Sequence, residues 1–169
     1  MSKVTFQQAE VNLNGSLIAV GAKAPNFVMC KADLSDYSLS ENTGKVIVLS
    51  VVPSLDTPVC QASARAFNKN LAGMGAQVLC ISKDLPFAQS RFCQAEGIEN
   101  VIPLSDYRND SDFGKNYGLD IADTALRGLL TRAVIVIDKE GKVSYVQLVD
   151  EITNEPDYDA VIKAVQAVL

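Results

Sequence analysis

The sequence contains no histidine among its 169 residues. Cys-His and Ser-His catalytic arrangements are therefore excluded, and so are most zinc sites, because histidine is a common zinc ligand. The four cysteines, at positions 30, 60, 80 and 93, form no C-x-x-C pair, which excludes a zinc knuckle and a dithiol motif of that spacing. An all-cysteine metal site stays open as an alternative, although two of its ligands would lie in apolar, strand-like runs. We expect no metal and no other cofactor.

The chain also lacks a basic cluster and a long apolar run. Its formal net charge is −5, which argues against nucleic acid or an anionic membrane as a partner. No run is long enough to span a bilayer, and residues 1–10 are polar without the layout of a signal peptide. We therefore expect a cytoplasmic protein, where a disulfide is more often transient and catalytic than structural. With 48% hydrophobic residues, the length fits one domain over residues 1–169.

The most informative segment joins an apolar run to a capped helix. Val46 to Val52 is unbroken in β-branched and aliphatic residues apart from one serine, which predicts a strand buried on both faces. Thr57 is a typical N-cap and Pro58 a typical first helical residue. Cys60 then falls in the first turn, where free backbone N–H groups and the positive end of the helix dipole favour a thiolate.

The remaining cysteines differ in their surroundings. A free cysteine usually behaves as a small buried hydrophobe, and this is the interpretation we favour for Cys30 and Cys80, which lie inside apolar runs. Cys93 lies on a polar, amphipathic helix predicted from Leu85 to Glu96. Position alone therefore makes Cys60 the leading candidate for reactivity, followed by Cys93.

The order of the predicted elements indicates the fold. Asn14-Gly15, the strongest short turn signal, predicts an N-terminal β-hairpin between residues 11–13 and 16–18. After it we predict a strand at Val46 to Val52, a helix from Cys60 to about Ala72, a strand at Val78 to Ser82, a helix from Leu85 to Glu96, a strand at Val101 to Leu104, a short helix near Phe113 to Tyr117, strands at Ala133 to Ile137 and Val143 to Leu148 joined by a turn at residues 138–141, and a helix from Tyr158 to Val168.

This order is that of a thioredoxin-like α/β sandwich. Strand, helix and strand come first, and an antiparallel hairpin plus a helix come last. We expect a central mixed sheet flanked by helices, with the reactive cysteine after the first central strand.

Four segments then resemble a known family. The pattern Pro53-x-x-x-Thr57-x-x-Cys60 resembles the peroxidatic signature of peroxiredoxins. The match narrows to the bacterial thiol peroxidase subfamily, the atypical two-cysteine type, through Ser54-Leu55-Asp56-Thr57-Pro58-Val59-Cys60, Ser82-Lys83-Asp84-Leu85-Pro86-Phe87-Ala88-Gln89 leading to Cys93, Arg132-Ala133-Val134-Ile135-Val136-Ile137-Asp138, and residues 147–153 with 155–158. The resemblance spans essentially the whole chain.

The resemblance implies a role for each of five residues. Cys60 would attack a hydroperoxide and become a sulfenic acid, and Cys93 would resolve that acid to an intramolecular disulfide. Thr57 would turn its hydroxyl toward the sulfur and the peroxide. Pro53 would shield the site from water, and Arg132 would be a fixed cation beside the thiolate. Without the resemblance, Arg132 would be interpreted as an ordinary solvated or salt-bridged arginine.

The resemblance also implies partners: hydrogen peroxide or an organic hydroperoxide as substrate, thioredoxin as reductant, and a second copy in a homodimer. Two other functions stay open on the residues alone. The same disulfide could signal to a partner, as in a redox sensor, or the cysteines could be inert core of a thioredoxin-fold binding protein. Rapid re-reduction by thioredoxin would favour the enzyme over the sensor, and thiols that dilute peroxide does not consume would favour the binding protein.

Overall fold

Ten β-strands and four α-helices follow one another in residues 2–71 and 73–169, the part of the chain that the computed structural model describes. The strands are β1 (Lys3–Phe6), β2 (Ala9–Asn14), β3 (Val28–Lys31), β4 (Asp36–Ser38), β5 (Ile47–Val51), β6 (Gln77–Ser82), β7 (Val101–Ser105), β8 (Asp120–Ile121), β9 (Ala133–Ile137) and β10 (Val143–Leu148). The helices are α1 (Pro58–Asn70), α2 (Pro86–Glu96), α3 (Phe113–Tyr117) and α4 (Tyr158–Gln166), and a 3₁₀ turn covers Leu39–Asn42.

A seven-stranded mixed sheet forms the centre, in the order β10-β9-β5-β6-β7-β3-β4. The pairs β5–β6 and β6–β7 are parallel, and the outer pairs are antiparallel. Every residue of β5 is buried, as the apolar run predicts for a strand covered on both faces. The carboxyl ends of β5 and β6 lead toward the helices that carry Cys60 and Cys93, which places the N-termini of both helices at one end of the sheet.

Each face of this sheet packs against its own apolar cluster. Alternate residues of β5 divide between the faces, since Ile47, Leu49 and Val51 join one cluster and Val48 joins the other. Residues of α1 and α4 cover the Val48 face, whereas α3 covers the opposite face. The prediction of a thioredoxin-like sandwich, a mixed sheet flanked by helices, is confirmed.

The N-terminal β-hairpin is present, but the predicted turn was wrong. β1 pairs with β2 through a turn at Gln7 and Gln8, both of which have positive φ angles. The second side of β2 pairs with β8, so no edge is left for the strand predicted at residues 16–18. Gly15 instead passes so close to the backbone of Lys115 that an added Cβ would clash with its carbonyl oxygen.

Most other elements agree with the sequence prediction. The boundaries of α3, β9 and β10 match, and the turn at residues 138–141 does join β9 to β10. α4 ends two residues earlier than predicted, and the predicted end of the first helix at Ala72 lies outside the described residues. Four strands were not predicted, namely β1, β3, β4 and β8, because each has four residues or fewer and is shaped by its neighbours rather than by a long apolar pattern.

Candidate active site

Cys60 is the third residue of α1, and the helix begins as predicted. Thr57 is the N-cap, Pro58 opens the helix, and the Thr57 side chain accepts a hydrogen bond from the backbone N–H of Cys60 at 3.3 Å. The thiol lies in the turn where the dipole of a 13-residue helix favours an anion. Cys60 is 0% exposed, so a substrate must reach it through a narrow opening or a small movement of the loop before α1.

The loop between β5 and α1 holds Thr57 in place. The Thr57 hydroxyl donates to the carbonyl oxygen of Ser54 at 3.1 Å, while its oxygen accepts from Cys60. The hydroxyl hydrogen is thus directed along the loop in this structure, and it would have to rotate to reach a bound oxygen. Pro53 is buried at the start of the same loop, which agrees with a shielding position.

Arg132 immediately precedes β9 and is 2% exposed. Because Val51 is paired with Ala133, Arg132 lies at the end of β5 from which the loop to Cys60 departs. Its Nε donates to the carbonyl oxygen of Ile152 at 2.8 Å, and its Nη1 has no hydrogen-bond partner among the described residues. A buried, unpaired guanidinium N–H is rare, and it is a donor available to an anion or a polar substrate.

Cys93 lies in α2 and packs against the same apolar cluster that contains Cys60. It is half-buried, and burial raises the pKa of its thiol. Cys93 also lines a surface groove of about 280 Å³, together with residues that include Ser90, Gln94 and Pro103. The structure thus brings the two candidate cysteines to one core face, with Cys93 the more accessible of the two. All four cysteines are free thiols.

Cys30 and Cys80 are buried in strands, which fits their interpretation as core residues. Burial raises the pKa of the Cys80 thiol, and the charges of Cys60, Cys93 and Asp84 add to the rise. The Arg132 charge opposes it, so Arg132 and Cys60 both lie within electrostatic reach of Cys80. Cys80 is therefore a poor nucleophile, despite a location near both candidate cysteines.

The Tyr158 hydroxyl lies beside α1 and was not predicted from the sequence as an individual site residue. The Tyr158 hydroxyl is bonded to Ser63 on α1 at 3.3 Å and to Glu155 at 2.8 Å. Burial, and then the interaction with Glu155, raises the pKa of Tyr158 to about 12. The positive charge of Arg132 also reaches this tyrosine. Only the resemblance, which included residues 155–158, could have drawn attention to it, because nothing local marks a helix-terminal tyrosine as part of a site.

The described residues contain no group of three or more histidine, cysteine, aspartate or glutamate side chains that could hold a metal ion. A separate search for membrane-crossing segments found no helix, among the residues described, with both the length and the apolar character required.

Comparisons with known proteins agree with this geometry. The Redoxin family model matches residues 19–162, which is most of the chain. A thiol peroxidase from Mycobacterium tuberculosis strain H37Rv is 48% identical over 167 residues, covering 99% of this chain and 100% of that protein. A thiol peroxidase from Leptospira interrogans is 50% identical and covered throughout, as is this chain.

A solved structure is similar over nearly the same extent. The crystal structure of a peroxiredoxin-like protein from Aquifex aeolicus superimposes with a TM-score of 0.95 at 46% identity, covering 100% of this chain and 98% of that chain. The chain belongs to the Redoxin family and, within it, to the thiol peroxidases.

Proposed function

We propose that this protein is a thiol-dependent peroxidase that reduces hydrogen peroxide and organic hydroperoxides to water or alcohols. The observation that carries the proposal is the position of Cys60, buried and three residues after the Thr57 N-cap, with the buried cation Arg132 at the end of β5 from which the loop to Cys60 departs. Residues 1–169 would act as one thioredoxin-like domain, and the compartment would be the cytoplasm.

In the first step, the Cys60 thiolate attacks the terminal oxygen of the hydroperoxide. The S–O bond forms as the O–O bond breaks, and the departing oxygen takes a proton and leaves as water or alcohol, so that Cys60 becomes a sulfenic acid. The free Nη1 of Arg132 and the Thr57 hydroxyl are the donors that would stabilise the oxygens as negative charge develops on them. Pro53 would keep bulk water from the site.

In the second step, the Cys93 thiolate attacks the sulfur of the sulfenic acid. An S–S bond forms, and the sulfenic oxygen leaves as water after gaining a proton. A disulfide needs a Cα separation of roughly 4.4–6.8 Å, which two residues on separate helices are not expected to reach without movement. Unwinding one helical turn loses a few hydrogen bonds at about 0.5–1.5 kcal/mol each, and formation of the S–S bond offsets this cost.

In the third step, thioredoxin would reduce the disulfide by thiol–disulfide exchange. The partial exposure of Cys93 in its groove supports attack at that sulfur, because Cys60 is closed to solvent.

In the proposed homodimer, the interface would lie at the end of the sheet where β6 and β7 finish. Leu85, Phe87 and Tyr107 are 52%, 67% and 48% exposed there, and large exposed apolar side chains commonly mark an interface.

The first test is peptide mapping after the reduced protein reacts with one equivalent of hydrogen peroxide. We expect a Cys60–Cys93 disulfide within one chain, and rapid re-reduction of that disulfide by thioredoxin. Cys93→Ser should retain the oxidation of Cys60 but stop at the sulfenic acid, whereas the matched control Cys30→Ser should behave as the wild type. Linkage through Cys30 or Cys80, or no loss of thiol, would contradict the proposal.

A further inference from the structure

Asp84 joins the end of β6 to the loop that precedes α1. Its Oδ1 accepts a hydrogen bond from the Ser54 hydroxyl at 2.8 Å, and its Oδ2 accepts one from the backbone N–H of Leu55 at 2.7 Å. The Ser82 hydroxyl donates to the same Oδ2 at 2.8 Å. One carboxylate thus accepts three hydrogen bonds, two of them from a loop 29 and 30 residues away in the sequence.

Hydrogen bonds within the loop connect Ser54, which contacts Asp84, to Cys60. The carbonyl oxygen of Ser54 accepts hydrogen bonds from both the hydroxyl and the backbone N–H of Thr57, at 3.1 and 3.3 Å. Thr57 in turn accepts from the backbone N–H of Cys60 at 3.3 Å. A continuous set of contacts therefore runs from the Asp84 carboxylate to the first turn of α1.

The same group of side chains reaches the helix of Cys93. The Ser82 hydroxyl, which donates to Asp84, accepts a hydrogen bond from Nε2 of Gln89 at 3.0 Å. Gln89 lies on α2 and has no exposed surface. The Ser105 hydroxyl donates to the backbone carbonyl of Asp84, two residues before α2 begins. Asp84 therefore belongs to a hydrogen-bonded network that includes both the loop before α1 and Gln89 on α2.

We propose that Asp84 is a positioning residue that holds the loop before α1, and through it Thr57 and Cys60, in the arrangement that reacts with peroxide. Asp84 contacts neither the sulfur nor the substrate in this scheme, which rests on the proposed peroxidase function. Its hydrogen bonds to Ser54 and Leu55 favour the folded first turn. Asp84 therefore assists the oxidation of Cys60 and does not assist the later step, in which that turn opens.

The test compares three variants with the wild type. Asp84→Ala removes all three acceptor contacts. Asp84→Asn keeps an oxygen for the N–H of Leu55, and the Ser54 hydroxyl can rotate to accept from the new amide. The matched control is Asp138→Ala, because the Asp138 carboxylate also accepts backbone hydrogen bonds, from Glu140 and Lys142 at 2.9 and 3.0 Å, at the opposite end of the central sheet.

The two chemical steps are followed separately by rapid mixing with hydrogen peroxide, quenching with an alkylating reagent and mass spectrometry. We expect Asp84→Ala to oxidise Cys60 at least about tenfold more slowly, since each factor of ten needs only ~1.4 kcal/mol in the activation barrier. Disulfide formation from the sulfenic acid should be as fast as in the wild type or faster. Asp84→Asn should recover most of the loss, and Asp138→Ala should match the wild type.

A second readout, hydrogen exchange of the reduced proteins, does not depend on peroxide. Asp84→Ala should accelerate exchange at the amides of Leu55 and Cys60 and leave those of β5 and β6 unchanged. Unchanged exchange at Leu55 and Cys60, an oxidation rate within twofold of the wild type, or equal slowing of both steps would overturn the positioning role. A wild-type protein whose Cys60 does not react with peroxide would instead overturn the proposed function, and the exchange data would still decide the role of Asp84.

Discussion

Arg132 is a buried cation at the end of β5 from which the loop to Cys60 departs. Taken singly, an arginine before a strand is expected to be solvated, yet this side chain is almost fully buried. Among the residues described, its Nε donates a hydrogen bond to Ile152 and its Nη1 has no partner. Burial of an incompletely paired cation is costly, which supports our proposal that the free donor binds the oxygens of the hydroperoxide.

We predict that Arg132→Met slows the oxidation of Cys60 by about 10²-fold or more, the typical effect of removing a donor from a developing oxyanion. The loss should exceed the accompanying loss of thiolate, because Arg132 would act on the breaking O–O bond as well as on the sulfur. Peroxide kinetics and the ultraviolet absorbance of the thiolate measure the two effects. Equal losses would show that Arg132 acts on ionisation alone.

Arg65→Met provides the matched control for this experiment. Arg65 lies on α1 but is partly exposed and paired with Glu96 at 3.0 Å, so its replacement removes a nearby positive charge without opening the buried site. We expect the oxidation rate of this variant to stay within twofold of the wild type.

At the scale of the element, the first turn of α1 contributes an N-cap to stability and, in the proposed function, the site of reaction. Thr57→Val removes the N-cap and should lower the free energy of unfolding by about 1 kcal/mol. It should also slow the oxidation of Cys60 at least tenfold, because the variant loses the hydroxyl that we propose as a donor to the peroxide oxygens. Denaturant unfolding and peroxide kinetics measure the two effects.

Asp157→Ala separates these two effects. Asp157 is the N-cap of α4 and accepts from the backbone N–H of Ala160, as Thr57 does from Cys60. Its replacement should cost a similar free energy of unfolding and leave the oxidation rate near that of the wild type. If both variants slowed oxidation alike, the effect of Thr57 would be one of general stability.

Both cysteine-bearing helices must change to form the proposed disulfide. We predict faster hydrogen exchange in the disulfide form than in the reduced form at residues 59–62 and around Cys93, with α4 as an internal reference. Helix ends open at low cost, which makes these turns the segments expected to move. Identical exchange in the two redox states would rule out this rearrangement.

At the scale of the whole molecule, the N-terminal hairpin is hydrogen-bonded to the segment that contacts Arg132. Glu151 accepts hydrogen bonds from the backbone of Gln8 at 2.8 Å and from the hydroxyl of Thr5 at 2.9 Å. The next residue, Ile152, donates to the carbonyl of Thr5 and accepts from Arg132. The Glu151 carboxylate, which is partly exposed, thus joins the hairpin to the segment that contacts Arg132.

These contacts predict a pH-dependent stability. Hydrogen bonds from the backbone of Thr153 and then Gln8 lower the pKa of Glu151 from 4.5 to about 2. A lowered pKa in the folded state stabilises the protein above pH 4.5, and the effect fades as the pH falls toward 2. Glu151→Gln should therefore unfold at a lower temperature than the wild type at pH 7, and the gap should narrow through that window.

Glu41→Gln is the control, since Glu41 is an exposed glutamate in the 3₁₀ turn. Thermal unfolding of the three proteins across the pH range gives the comparison. A gap between Glu151→Gln and the wild type that does not change between pH 7 and pH 2 would contradict the assignment.

Much of the fold follows from local pattern. The buried strand β5, the capped start of α1 and the turn before β10 were predicted because each depends on residues adjacent in the chain. The N-terminal turn was misplaced because Asn14-Gly15 is a strong local signal, whereas β2 pairs with the adjacent β1 on one side and with the distant β8 on the other. The pairing of β2 with its neighbouring strands, and not local turn propensity, therefore determined where the hairpin turn lies.

By itself the sequence determined the placement of Cys60 at a helix N-terminus, because the N-cap, the proline and the preceding strand are contiguous. Tertiary structure alone decided the burial of Arg132, the meeting of Asp84 with Leu55, and the common core face of Cys60 and Cys93. These depend on contacts between residues far apart in the chain. Local propensity carries no information about such contacts, since they form only when the strands pair and the helices pack.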